Sequence, residues 1–329
     1  MPTPFVLVPR SSSPNEGAPV TLDPAFGELG EHAADERVTD LFVNGPAGLF
    51  VDRGDGAERI PSWAASEREV RDLAVRLIGL GGRHLDDQAP CVDVRLGSGV
   101  RVHAVLAPVS TGGTTLSVRI PRVRAANLHD LVRLGAIDAT QCAWLLDVVR
   151  ERNNLLITGG TGTGKTTLLA AALAHVPPQE RIVTIEDVAE LRLRHPHHVS
   201  LEARQANLEG VGAIPVSRLV RESLRMRPDR LIVGECRGEE VRDLLTALNT
   251  GHDGGAGTLH ASGLPDVPAR MEALGALAGM DPAALARQTV SAFAYVLHLE
   301  RGGGRRRLER VGRFVMSGER LDIEEIRPW

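Results

Sequence analysis

The stretch Leu155-Leu156-Ile157-Thr158-Gly159-Gly160-Thr161-Gly162-Thr163-Gly164-Lys165-Thr166-Thr167-Leu168-Leu169 decides the fold of this chain. Its first four residues are a short apolar run with a β-branched end, the pattern of a buried strand, and Thr167 to Leu173 continues as an apolar helix. Between them, Gly159 to Thr166 fits GxxxxGK[ST] in the strand-to-helix context that this motif requires. Glycines at this spacing let successive backbone N–H groups curl around phosphate oxygens, and the helix N-terminus adds its positive end. The expected cradle is Gly159, Gly160, Thr161, Gly162, Thr163, Gly164, Lys165, Thr166 and Thr167. In it Lys165 reaches the β and γ phosphates of ATP, and the Thr166 hydroxyl is a ligand for Mg²⁺. A glycine-rich turn with no ligand is the bland alternative; the strand before and the helix after speak against it.

Composition adds weight to one residue. Of the 38 basic side chains, Lys165 is the single lysine and the other 37 are arginines. A chain that uses guanidinium almost everywhere keeps a compact, swinging ammonium for this position.

Outward from the motif, strands alternate with helices. Ile182 to Ile185, Leu231 to Val233 and a short run around Thr258 read as strands; Asp138 to Val149, Val216 to Met226 and Glu239 to Leu248 read as helices. Such alternation predicts an α/β domain with a mainly parallel sheet covered on both faces. A helix follows Asp281, then the run Ala294 to Leu299 and a final hairpin around Gly302-Gly303-Gly304.

Upstream the pattern differs. The segment from Val38 to Gly56 holds two apolar runs separated by Asn44-Gly45-Pro46, a hairpin signal. Ser66-x-x-Glu69 is a capping box ahead of the helical face Val70, Leu73, Ala74, Leu77, Ile78. From Cys91 to Pro121 apolar residues alternate, with turns at Gly97-Ser98-Gly99 and Gly112-Gly113. The expected organisation is a flexible leader over 1–30, an antiparallel α+β domain over 31–122, a linker over 123–137 with no strong strand pattern, where a helical part stays open as an alternative, and the α/β domain over 138–329.

The 329 residues suffice for about two cores, and 24% charged with 43% hydrophobic residues is the balance of a soluble globular protein. A net charge of -4 argues against a nucleic-acid-coating surface. Cys91, Cys142 and Cys236 are too scattered for a disulfide framework or a zinc site and are expected as inert thiols in a reducing cytoplasm. The N-terminus lacks the pattern of a signal peptide, and no apolar run reaches the roughly 18 residues of a membrane span.

Two acidic positions fall at strand ends, where open α/β sheets collect ligands: Glu186-Asp187 after IVTI and Glu235 after LIVG. One carboxylate there can hold Mg²⁺ and another can orient an attacking water. Glu235 takes the metal role and Glu186 the water role; Asp187 and Glu190 remain alternatives to Glu186. The run His195-Pro196-His197-His198 tempts a metal reading, yet no cysteine or carboxylate completes it, so it reads as a polar loop.

The segments TIEDVAEL (184–191), LVRESLRMRPDRLIVGECRG (219–238) and TGHDGGAGTLHA (250–261) together resemble the Asp box, Walker B and His box of the type II/IV secretion system ATPases. The resemblance is strongest to the CpaF/TadA branch of tight-adherence (Tad) pilus motors, and it extends to VTDLFVNGP and VDVRLGSGVRVHAVLAP upstream. It implies a RecA-like P-loop domain with a smaller, PAS-like N-terminal α+β domain and nucleotide bound between them. It further implies Mg-dependent ATP hydrolysis by a homo-hexamer, cytoplasmic and peripheral at the inner face of the membrane. The partner would be an inner-membrane platform protein through which a pilus is assembled or protein exported, with no stable nucleic acid. Residue by residue, His252 and His260 become the His-box pair, with His260 sensing the γ-phosphate. Arg95, Arg101 and Arg119 occupy positions from which the family directs arginines at the nucleotide, although in a chain with 37 arginines each is equally a surface charge. The four-cysteine zinc motif of the type II branches is absent, and Gly234-Glu235 stands where other Walker B motifs carry Asp. Two other readings stay open: a DNA-handling conjugation ATPase or helicase, against which stand the acidic balance and only ten aromatic residues, and a nucleotide switch without turnover.

Overall fold

The computed structural model describes residues 23–329 except 55, 97–98, 121–126, 192, 205–210 and 303–304. The turn residues Gly97 and Ser98, the hairpin tip Gly303-Gly304 and most of the expected leader therefore lie outside the described residues. The chain divides into two units, Met1–Arg122 and Val123–Trp329.

In the first unit, α1 (Glu28–Ala34) precedes the hairpin β1 (Asp40–Asn44) and β2 (Leu49–Asp52), then β3 (Ala57–Ile60), α2 (Glu67–Leu80), β4 (Cys91–Arg95), β5 (Arg101–Val105) and β6 (Thr115–Arg119). The six strands form one antiparallel sheet in the order β3-β2-β1-β6-β5-β4. Alternation decides which face is covered: Leu41, Val43, Val102, Ala104, Leu116 and Val118 are buried with Leu29 of α1 and Val70, Ala74, Leu77 and Ile78 of α2. The capping box forms as read, Glu69 accepting from the Ser66 N–H at 2.7 Å and the Ser66 hydroxyl accepting from the Glu69 N–H at 3.3 Å. Ordered structure starts earlier than the expected leader allows, because a 3-10 turn at Pro24–Phe26 drives Phe26, 1% exposed, into this core.

The second unit runs α3 (Leu128–Arg133), α4 (Ala139–Arg150), β7 (Leu155–Gly159), α5 (Lys165–Leu173), β8 (Ile182–Glu186), β9 (His198–Glu202), α6 (Val216–Ser223), β10 (Arg230–Val233), α7 (Glu240–Leu248), β11 (Ala256–His260), α8 (Val267–Leu277), α9 (Pro282–Ala292), β12 (Tyr295–Gly302), β13 (Arg305–Ser317) and β14 (Arg320–Ile326). Its eight-stranded sheet has the order β14-β13-β12-β7-β11-β10-β8-β9. From β12 to β9 the pairings are parallel, and β13 and β14 are added antiparallel at one edge.

Helices cover both faces. Leu156, Val183, Ile185, Leu231, Val233 and Val296 pack with α6 to α9, while Leu155, Ile157, Ile182, Ile232 and Leu297 pack with α3 to α5. Each strand of the pair β7 and β8 thus sends alternate side chains to opposite cores, which is why both read as continuous apolar runs. The stretch expected as linker contains α3, capped by Asn127 and anchored through Leu128 and Leu131 in the α4/α5 core. The edge strand β9 starts at His198, within the expected polar loop, and α8 has no counterpart among the expected elements.

Candidate functional site

Strand register brings the chemistry to one edge of the second sheet. Gly159 closes β7 beside His260, the last residue of β11, and beside Leu299 of β12. Gly159 has φ +147, and a β-carbon there would stand 2.4 Å from the Leu299 carbonyl oxygen and 2.7 Å from the Thr163 hydroxyl. Glycine is therefore required where the chain leaves the sheet. The loop then closes on itself, with the Thr163 hydroxyl donating to the Gly160 carbonyl at 3.0 Å.

Lys165 opens α5 and is 7% exposed. Its ammonium donates to the carbonyls of Gly159 at 2.9 Å and Gly160 at 2.8 Å, and stands 3.4 Å from Nδ1 of His260. On its far side, Nε2 of His260 lies 2.7 Å from Oε1 of Glu235. Oε2 of Glu235 accepts from Arg237 at 2.6 Å, and Arg237 lies 3.8 Å from Asp187. Burial, with the Lys165 charge second, lowers the His260 pKa below its ordinary 6.5, against the opposing pull of Glu235. A neutral ring with its proton on Nε2 fits both contacts, donating to the carboxylate and accepting from the ammonium. The Glu235 carboxylate in turn holds the Arg237 guanidinium more firmly protonated.

Glu186, at the end of β8, is 5% exposed. Its Oε1 accepts from the backbone N–H groups of Glu190 at 2.9 Å and Leu191 at 3.1 Å, so the following loop fixes the carboxylate. The ends of β10 and β11 are tied together by the Thr258 hydroxyl, which donates to the Gly234 carbonyl at 2.5 Å, and by Cys236 N–H, which donates to the Thr258 carbonyl at 2.8 Å. The parallel pairing of β8 with β10 sets Glu186 and Glu235 on adjoining structure.

The residues present suit a nucleotide polyphosphate with a hard cation. The α5 N-cap is Gly164, with φ +98 and no side-chain cap bond, so no capping side chain takes up the first-turn N–H groups there. Thr166, half-buried in the first turn of α5, and Glu235 carry oxygen donors of the kind a hard cation such as Mg²⁺ accepts.

Within the second unit, His252 does not join this cluster. His252 lies before the start of β11, at the sheet edge opposite His260, and its Nδ1 contacts the Ala247 carbonyl at 3.2 Å. The reason is topological: one crosses the whole strand in passing from one His to the other. Arg95, Arg101 and Arg119 lie in the first unit, in register on β4, β5 and β6, with Asp40 next in the row on β1. They share the sheet face turned from that unit's core, and Arg101 pairs with Asp93 at 3.6 Å. In the histidine run, His195 lies 3.1 Å from the Pro177 carbonyl, His197 lies 3.2 Å from Arg181, and His198 lies 2.9 Å from the Thr184 hydroxyl.

One feature beneath the loop escaped the sequence reading. His298 on β12 is fully buried, and its Nδ1 lies 2.9 Å from the Thr158 hydroxyl, one residue before the glycine loop. A polar residue inside the apolar run Ala294 to Leu299 was the available signal.

The family model for type II/IV secretion system proteins matches residues 28–299. A putative conjugal transfer protein of Mycobacterium tuberculosis is 54% identical over 280 residues, 83% of this chain and 80% of that one. The conjugal transfer protein TrbB of Rhizobium radiobacter is 31% identical over 84% of each chain. The type IV secretion system protein PtlH of Bordetella pertussis is 34% identical over 68% of this chain and 73% of its own. Among solved structures, the pilus retraction motor PilT with bound ADP superposes with TM-score 0.60 at 20% identity, covering 86% of this chain and 82% of that one. The ATPase DotB of Legionella pneumophila gives 0.57 at 20% identity, covering 96% and 82%. These likenesses bear on fold: a RecA-like P-loop α/β domain with a smaller N-terminal α+β domain.

Proposed function

Because the chain belongs to the type II/IV secretion system protein family, we propose that it is a Mg-dependent ATPase, converting ATP and water to ADP and phosphate, and that it works as a ring of six copies to drive secretion. The observation that carries this reading is the chain of contacts Lys165–His260–Glu235, which joins the first residue of α5 to the ends of β11 and β10.

In this reading Lys165 exchanges its two loop carbonyls for β and γ phosphate oxygens. Thr166 and Glu235 hold Mg²⁺, which when bound supplies neutralisation of the phosphate charge. Glu186 orients the attacking water. His260, neutral between Lys165 and Glu235, relays the presence of the γ-phosphate to β11. Arg95, Arg101 and Arg119 supply guanidinium charge to the transition state, an effect worth about a thousandfold or more where such arginines act.

No helix among the described residues is long and apolar enough to cross a membrane. The proposed location is the cytoplasm, at the inner face of the membrane through a platform protein. Pilus assembly of the tight-adherence kind, or protein export, is the proposed work. A second reading, DNA transfer in conjugation, is favoured by the names of two relatives, both conjugal transfer proteins. Stimulation of turnover by single-stranded DNA, weakening steeply with salt, is the result that would select it.

The deciding experiment is ATPase rate against protein concentration, with mass determination in Mg-ATP, for the native chain and Glu186→Gln. A rate per subunit that rises as rings form, and collapses in the variant, supports the reading. A concentration-independent rate from monomers overturns the ring motor.

A further inference from the structure

We propose that Arg306 delivers a guanidinium, from the same chain, to the polyphosphate of a nucleoside di- or triphosphate held by the loop Gly159–Thr166; this rests on the nucleotide reading above. The register of the sheet places it there. Leu299 of β12 pairs with Gly159 of β7 on one side and with Leu308 of β13 on the other, and Arg301 faces Arg306 two residues further on. Arg306 therefore stands past the point where β7 gives way to the loop. Leu308, which shares its face of β13 by strand alternation, is buried in the core built by α3, α4 and α5. Arg306 thus emerges on the α5 side of the sheet.

The contact confirms the register. A β-carbon on Gly164, the residue that caps α5, would lie 3.6 Å from Cδ of Arg306. The aliphatic stem runs against the last glycine of the loop, and the guanidinium begins one atom further on, with the side chain exposed.

Charge gives the group its use. A nucleoside triphosphate carries several negative charges, while Lys165 is shared between two carbonyls and His260, and Arg237 is shared between Glu235 and Asp187. A planar fork from β13 bridges phosphate oxygens in a way that an ammonium does not. The sequence Arg301-Gly302-Gly303-Gly304-Arg305-Arg306-Arg307 by itself reads as a basic hairpin tip, and only the pairing distinguishes Arg306 from its neighbours.

The test is equilibrium binding of ADP and ATP to the full chain by calorimetry, for the native protein, Arg306→Ala, Arg306→Lys and the charge-matched control Arg307→Ala, whose side chain leaves the opposite face of β13. Arg306→Ala is expected to weaken both nucleotides about tenfold with an unchanged melting temperature, Arg306→Lys to recover part of the loss, and Arg307→Ala to match the native protein. Native affinity in Arg306→Ala, or an equal loss in Arg307→Ala, overturns the proposal while leaving the nucleotide site standing. A native chain that binds neither ADP nor ATP overturns the nucleotide reading itself.

Discussion

The side chain of Glu186 crosses Gly234 so closely that a β-carbon on Gly234 would lie 2.4 Å from Cγ of Glu186 and 3.0 Å from its Oε1. Strands β8 and β10 are direct neighbours, Ile185 facing Val233, so Glu186 at the end of β8 and the residue just past β10 compete for one space. Glycine at 234 resolves the competition and moves the second carboxylate one position on, to Glu235.

Gly234→Ala is accordingly expected to displace Glu186. Overpacking of this kind costs about 1–3 kcal/mol, readable as a lowered urea midpoint. Turnover is expected to fall at least about tenfold, more than ADP affinity changes, since the role proposed for Glu186 is on the water and not on the nucleotide. Unaltered turnover in a folded variant would remove Glu186 from the mechanism.

Glu235→Gln keeps the size of the side chain and removes its charge. Nucleotide binding is expected to persist while turnover drops about a hundredfold or more. Because His260 contacts Glu235 at 2.7 Å, the losses in His260→Ala and Glu235→Gln should not add. A double variant showing the full product of the two single effects would mean that the contact plays no part in turnover.

Acid should destabilise the fold through its histidines. Burial is the leading cause that lowers the pKa of His175, His198, His260 and His298 below 6.5. The unfolded chain then binds protons that the folded chain does not, so this stability is complete above pH 6.5 and is lost as pH falls through the lowered values. Thermal scans are expected to show a melting temperature that declines below pH 6.5; a flat or rising melting temperature toward pH 5 contradicts this account.

Arg230 is 2% exposed, with Nε donating to Glu180 at 2.6 Å and Nη2 donating to the Val149 carbonyl at 3.0 Å. Arg230→Met leaves the Val149 carbonyl without this donor and leaves Glu180 the longer contact to Arg152 at 3.6 Å, and should cost about 3 kcal/mol in urea unfolding. The double change Arg230→Met with Glu180→Leu should recover much of it. Equal losses in the single and double variants would show that the ion pair contributes nothing by itself.

The core strands and the loop were legible because each signal is local. LLIT followed by glycines and an apolar helix admits one geometry, and the capping box at Ser66 announces α2 within four residues. The element α8 was not legible: Val267 to Leu277 has apolar residues around much of its circumference, and Pro268 at its start looks like a break when it is a first-turn residue. His252 and His260 look alike in one motif, yet a strand separates them and only one reaches Lys165.

The sequence by itself determined the strand-to-helix loop around Lys165, the acidic residues at the strand ends and the alternating α/β order, because these follow from periodicity and from residue types that only one backbone conformation suits. Tertiary structure decided which of those residues meet. The order β12-β7-β11-β10-β8 puts Leu299, Gly159 and His260 side by side, and it places Glu235 beside His260 and Arg306 beside Gly164. These residues lie far apart along the chain, so the contacts between them come from strand pairing and helix packing, which no short window of sequence contains.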